Sequence, residues 1–416
     1  MVICAAALYW YGFALYRRAT STWHWAYNIQ GFVAYGAHED AFSPDATRIA
    51  IAFGSRCKVL DLTSGKELST LEGYTGQGLA GFSSDGKIIS RFGQDGTDRH
   101  VADLWNASDG RLLGSIRTQG DEGGQSLKPV FSPDSKNVVA ATQGGLIAWD
   151  VSNLKQVAQV RVAWPEDQWL PGRLAWNPTN QELIVVDKDG TLLKIDFLQE
   201  TADPLVPEQP KAVTSARFSL DGMRLLTINR DDGLVSVWDA TTGKVIASIS
   251  ESDTFHASFS PTGNEVVTAK QRKDVVQRAR WAPPFWDRST RLWDATTGKL
   301  VEELPTTGVV TFSPDWTFMA EIGPEGLRVA RFNNSESCYF PEWFDGHGSS
   351  CSFARDNSYL ASVNGSGRVA IWRHRDPSTP WLVWIAGHEL LGTVLALAAL
   401  AWAMSGFWRS KTPDAD

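Results

Sequence analysis

An all-β fold of short antiparallel strands is predicted for this sequence by three observations: a turn phrase that recurs eight times, period-two apolar runs between its copies, and Gly- or Asp-bearing turns that close those runs. The phrase begins at Phe42, Phe82, Phe131, Trp176, Phe218, Phe259, Phe312 and Phe353. It reads Phe42-Ser-Pro-Asp45 in the first copy and Phe218-Ser-Leu-Asp-Gly222 in the fifth. The aromatic positions lie 40, 49, 45, 42, 41, 53 and 41 residues apart, a period typical of radially repeated sheets.

Each unit is built in the same order. A short strand ends on the aromatic. Ser-Pro-Asp then forms a tight turn, with Pro133 or Pro314 suited to the second position of a type I turn. An apolar run follows, such as Arg48–Phe53 or Glu182–Val186. After a Gly or Asp turn, a second run ends in an aromatic and an acid, as at Trp149-Asp150, Trp238-Asp239 and Trp293-Asp294. Thr242-Gly-Lys244 and Thr297-Gly-Lys299 turn the chain into a fourth strand, such as Lys244–Ser248. A four-stranded unit cannot bury both of its faces alone, so such units stack around an axis. The prediction is an eight-bladed β-propeller over residues 23–375, with seven blades and a stray unit as the alternative. The last unit shows only three strands, and Trp23–Tyr35 is an aromatic-rich, strand-like stretch able to supply the fourth. Closure of that kind removes an exposed edge.

The run Ser236-Val-Trp-Asp-Ala-Thr-Thr-Gly-Lys244, paired with Phe218–Gly222, resembles the WD-repeat β-propeller family in its bacterial form, with degenerate repeats. The resemblance covers roughly residues 34–373. The family's Gly-His dipeptide survives only at Gly346-His347, and its Trp is replaced by Leu60, Ile195 and Phe332 in three units. The resemblance therefore implies that the family's buried hydrogen-bond chain is mostly lost and that apolar packing compensates.

From the turn aromatic to the Trp position the distance is 18 to 20 residues in six units, 23 in the second and 34 in the sixth. The other long segments contain Thr118–Gly124 and Trp164–Trp169. In a WD-type propeller these connectors share one face, and loops on a rigid scaffold carry binding. The sixth-unit insertion, Lys270–Arg288, interleaves Lys270, Arg272, Lys273, Arg278, Arg280 and Arg288 with Trp281, Phe285 and Trp286. Arg and Trp are enriched in binding hot spots. Arg272, Lys273, Arg278, Arg280, Trp281, Phe285, Trp286 and Arg288 are the candidate partner-binding residues; a solvated loop whose rings pack on the propeller is the plainer reading.

Residues 390–408 carry no charge, enough to cross most of a hydrocarbon core of about 30 Å. With Trp381 and Trp384 before them, residues 381–408 are expected to form a transmembrane helix, followed by a polar tail at 409–416. Residues 1–18 form a second apolar segment, read as a short span or an interfacial stretch. Arg17, Arg18, Arg373 and Arg375 favour a cytoplasmic propeller on a membrane-bound chain.

The formal charge of −8 argues against a nucleic-acid partner. His388-Glu389 lacks the second His of a zinc-protease helix, the Thr-Gly-Lys turns lack the rest of a phosphate loop, and no nucleophile elbow occurs. No cofactor or enzyme activity is expected. Cys338 and Cys351 could pair in an oxidising compartment; buried or idle free thiols are the plainer reading of the four cysteines. The expected function is a membrane-anchored, non-catalytic scaffold that binds protein partners through one propeller face. A quinone-dependent propeller oxidoreductase is the alternative, weakened by the lack of adjacent cysteines; a propeller binding a small ligand is the third reading.

Overall fold

The structure, a computed structural model, describes residues 23–374 apart from 30–40, 54–55, 73–79, 95–99, 118–128, 143, 165–171, 206–211, 230, 272–287, 305, 307–308, 324–325, 333–336, 341–347 and 365–367. Among the described residues one compact unit, Trp25–Arg373, carries eight antiparallel sheets, seven of four strands and one of three. It is an all-β, eight-bladed propeller. The seven-bladed alternative is corrected by the eighth sheet, in which Gly348–Phe353, Tyr359–Asn364 and Val369–His374 are completed by Trp23–Ile29 as outer strand. The ring thus closes with strands from both ends of the sequence. Of the second unit, residues 1–24 and 374–416, only Trp23, His24 and His374 are described; the Trp23 and His374 rings lie 5.2 Å apart.

Blade one is the three-stranded sheet, Arg48–Phe53, Arg56–Asp61 and Glu67–Glu72. Among the described residues its inner edge contributes one bridge, from Phe42 to Ile49. The other blades are full meanders. Blade six, for example, runs Thr254–Phe259, Glu265–Gln271, Arg288–Asp294 and Leu300–Leu304.

The turn phrase is legible in atomic detail. Ser219 Oγ donates to the Asp221 carboxylate at 2.6 Å, the Met223 N–H donates to the same carboxylate at 3.0 Å, and the Arg224 N–H donates to Ser219 Oγ at 3.0 Å. The residue after the acid takes a left-handed conformation, with φ of 70° at Gly86 and 68° at Gly222. Ala46, Ser135 and Trp316 occupy the same place at 54°, 61° and 58°, a conformation that costs an L residue roughly 1–2 kcal/mol. The second turn explains the acid after the Trp. Asp239 accepts from the Thr241 and Thr242 N–H groups and the Thr242 hydroxyl, and Asp294 repeats the arrangement with Thr296 and Thr297.

These bonds favour the charged carboxylate. The Thr242 N–H, then its hydroxyl, hold Asp239 below the ordinary carboxylate range; the Thr297 N–H and hydroxyl do so for Asp294, and the Ser219 hydroxyl with the Met223 N–H for Asp221. A depressed folded-state value contributes stability above the unfolded carboxylate range, and that stability is lost as pH falls through the folded-state values. The urea midpoint is therefore expected to drop below about pH 4, and to drop less steeply in the Asp239→Asn, Asp294→Asn double variant. Identical slopes in both proteins would show that these turns do not set acid stability.

Core residues alternate between the two neighbours of each blade. Ala50, Cys57, Val59 and Leu71 of blade one pack on Phe82, Ile89 and Trp105 of blade two. Ala102, Leu104 and Ile116 face blade three, meeting Val138, Ala140 and Trp149. The pattern continues to Phe340 of blade seven, whose ring lies 4.3 Å from Trp372 of blade eight. Between blades eight and one, Val363, Val369 and Ile371 join Ile29, Phe42 and Ile49. Side chains also stitch adjacent blades. Arg48 donates to the Gly86 and Ala107 carbonyls at 3.0 and 3.1 Å, and Asn177 donates to the Gly222 carbonyl at 3.0 Å.

Cys57 and Cys351 are free and buried, so the Cys338–Cys351 pairing is not formed. Burial pushes both thiols up to about 12, which leaves almost no thiolate to react at neutral pH. Neither is expected to be alkylated by iodoacetamide in the folded chain, and both in urea, as read by peptide mass spectrometry.

Candidate functional site

Strands of a meander alternate in direction, so one end of each blade carries the Ser-Pro-Asp and Thr-Gly-Lys turns. The other end carries the second-to-third-strand connectors and the links between blades. The described strands that flank the three long segments singled out from the sequence therefore end or begin at that second end; residues 118–128, 165–171 and 272–287 lie outside the described residues. Arg272, Lys273, Arg278, Arg280, Trp281, Phe285 and Trp286 lie outside the described residues. Two boundaries of the insertion are corrected. Arg288 opens the third strand of blade six, opposite Gln271, and Lys270 belongs to the second strand, opposite Ser289. Period-two pairing extends into both ends of what reads as a charged loop.

At the base of this connector stands a buried polar network. Glu251, in the link from blade five to blade six, is 4% exposed. Its carboxylate accepts from Arg291 Nη1 at 3.0 Å, lies 3.5 Å from Lys270 Nζ, and accepts from the Thr268 hydroxyl. Thr268 Oγ1 in turn accepts from Trp293 Nε1 at 2.8 Å, and Arg291 reaches Glu303 at 3.3 Å. The Glu251 N–H donates to the Gly233 carbonyl at 3.1 Å, and its carbonyl accepts from the Thr254 hydroxyl at 2.8 Å. Gly233 has φ of 70°, and a Cβ there would stand 2.2 Å from the Glu251 carbonyl oxygen. Only Gly lets the two connectors approach this closely.

Part of the Trp-centred hydrogen-bond chain is kept among the described residues. Its Trp-to-hydroxyl half persists in three blades, as Trp238 to Thr227 at 2.9 Å, Trp293 to Thr268 at 2.8 Å and Trp372 to Ser362 at 2.7 Å. In blade six a carboxylate, Glu251, stands beyond the hydroxyl. A sequence signal for the hydroxyls exists: Thr227, Thr268 and Ser362 each lie nine residues after the turn aromatic of their unit. The same position holds Ile51, Ala140 and Val185 in blades one, three and four, and charged Arg91 and Glu321 in blades two and seven.

Among the described residues no three His, Cys, Asp or Glu side chains gather around a metal-sized point. A shallow cavity of about 560 Å³ lies at the turn end between blades two and three, lined by Ile88, Leu113, Asp150 and Leu154 among others. Among the described residues no helix is long and apolar enough to cross a membrane; the run 390–408 lies outside them.

A ring of eight four-stranded or near-four-stranded blades, with Trp-Asp turns and Trp-to-hydroxyl bonds, defines a WD-repeat-type β-propeller. Comparison with known proteins agrees at that level. The chain is 26% identical over 187 residues to eukaryotic translation initiation factor 3 subunit I of Lodderomyces elongisporus, covering 40% of the chain and 49% of that protein. It is 28% identical over 161 residues to small ribosomal subunit protein RACK1y of Oryza sativa subsp. japonica, covering 36% and 45%. It is 25% identical over 228 residues to WD repeat-containing protein 90 of Homo sapiens, covering 50% of the chain and 12% of that protein. The chain thus spans about half the length, or less, of these curated relatives. None of the three singles out the bacterial form of the repeat. No family model matches the chain.

Proposed function

We propose that the chain is a membrane-anchored, non-catalytic scaffold that binds protein partners through the end of the propeller bearing the long connectors. One observation carries the reading. The sixth-blade connector, rich in Arg and Trp, springs from strands fixed at their base by the Glu251 network, and a rigid base lowers the ordering cost of binding. By name, one relative is a subunit of a translation initiation factor and another a protein of the small ribosomal subunit, which supports the scaffold reading. The anchor is the uncharged run 390–408, with the propeller on the cytoplasmic side by the placement of Arg17, Arg18, Arg373 and Arg375.

Proximity labelling from the full chain in its native host is the test, comparing the natural sequence with Arg278→Glu, Trp281→Ala. A subset of labelled neighbours is expected to disappear in the variant at equal expression. An unchanged set would sink the proposed binding role of the connector. Resistance to alkaline extraction, lost on deletion of residues 381–408, checks the anchor separately.

A further inference from the structure

In blades two, three and six the turn that leads into the outer strand comes down on the outer strand of the preceding blade. Where that turn carries Gly, the contact is direct. A Cβ on Gly110 of blade two would stand 2.7 Å from Ser69 Cβ in blade one, and one on Gly298 of blade six 2.7 Å from the Ser248 carbonyl oxygen in blade five. Blade three departs from this. Leu154 takes the Gly place in the turn, its N–H donating to the Asp150 carbonyl as that of Gly298 does to Asp294. Its φ is 55°, against 69° at Gly110 and 67° at Gly298, a conformation that disfavours any L residue with a side chain. Room for that side chain comes from the other partner. The outer strand of blade two presents Gly114, and a Cβ there would stand 2.3 Å from Leu154 Cδ1.

The cavity of about 560 Å³ opens beside this exchanged pair. Ile88, Val151 and Leu154, from the edge of the core shared by blades two and three, line it together with the exposed Leu113. Asp150 lines it too. Its Oδ1 accepts from the Ser152 hydroxyl and from the Ser152 and Asn153 N–H groups, whereas its Oδ2 has no hydrogen bond or ion pair among the described residues. The Ser152 hydroxyl, then its N–H, hold the carboxyl below the ordinary range, so it is charged at neutral pH. Lys66 and Lys244 act on the corresponding Asp61 and Asp239, but hydrogen bonds alone hold Asp150. Lys136, the other charged lining residue, is turned to Asp134, with its Nζ 3.7 Å from Oδ2.

Backbone strain gathers where a protein binds, and an apolar lining with one fixed charge is the common form of a binding site. This cavity is too shallow to enclose a free small molecule, but it can take side chains that a partner's backbone presents. We infer that it receives two neighbouring side chains of a partner polypeptide, a large apolar one against Leu113 and Leu154 and an Arg or Lys at Asp150 Oδ2. The formal charge of −8 favours a partner of that sign. The site is separate from the sixth-blade connector and does not depend on binding there.

The test is selection of random peptides displayed on phage against the full chain in detergent, followed by titration of the enriched sequences by fluorescence anisotropy. Enriched peptides are expected to carry Leu, Ile, Met, Phe or Trp within two positions of Arg or Lys. Asp150→Asn and Leu113→Lys are each expected to weaken them at least tenfold. Asp150→Asn removes the charge and keeps the turn, because Asn106 already accepts from the Ser108 N–H and hydroxyl in the same place of blade two. Leu113 is exposed, so its replacement leaves the core intact. Enrichment of acidic peptides, or no enrichment, would overturn the proposal. So would peptides that bind the natural chain and both variants equally, or that lose affinity with Leu113→Lys and not with Asp150→Asn.

Discussion

Deletion of residues 1–29 is expected to make the propeller aggregate. The loss strips the outer strand from blade eight and leaves Val369–His374 with one bare edge. That strand is among the most buried in the molecule, with Val369, Ala370, Ile371 and Trp372 all at 2% exposure or less. A bare apolar edge is a template for pairing with other chains. Gel filtration and binding of a hydrophobic dye give the readout. A milder variant isolates the packing contribution. Ile29 lies in the core shared by blades eight and one, and Ile29→Ala is expected to cost about 2–4 kcal/mol. A truncated chain that elutes as a monomer with an unchanged melting temperature would show that closure does not depend on Trp23–Ile29.

The second large effect is expected at Glu251. Glu251→Ala leaves the Arg291 guanidinium without its 3.0 Å partner and Lys270 without its 3.5 Å partner, both at a buried acceptor site. Removing one member of a buried ion pair costs about 3–5 kcal/mol. Arg291 and Lys270 are 26% and 22% exposed, so water takes up part of the loss and about 2–4 kcal/mol is expected. Glu251→Gln keeps the shape and the Thr268 contact and is expected to lose about half as much. Because stability in repeat proteins is local, hydrogen exchange across Arg288–Asp294 is the sensitive measurement. Protection there is expected to fall while the strands of blades two and three keep theirs. Equal protection in all three proteins would mean that the network contributes nothing to blade six.

These cases show which parts of the molecule could be read in the residues. The turns were legible because Ser, Asp and the following left-handed residue act on each other within five positions, so local chemistry specifies them. The closing strand was legible because the last unit lacks an element and an aromatic stretch near the start can supply it. Glu251 was not. It sits in a link between blades, and its partners Thr268 and Arg291 are 17 and 40 residues away. The neighbouring inner strand carries an irregularity between Thr254 and His256, which disturbs any fixed spacing. The boundary at Lys270 was misread because a charged side chain in a strand looks like loop until its buried counter-charge is known.

The closing strand has a consequence for biosynthesis. Trp23–Ile29 leaves the ribosome about 340 residues ahead of its pairing partner Val369–His374. At about 5–20 residues per second, elongation between the two takes on the order of tens of seconds. Throughout that interval the nascent chain holds an unmatched aromatic segment, and the first and the latest folded blades each wait with one flank uncovered. A chain stalled before residue 369 is thus a natural client for chaperones, whereas a completed one removes its own sticky surface in a single final step.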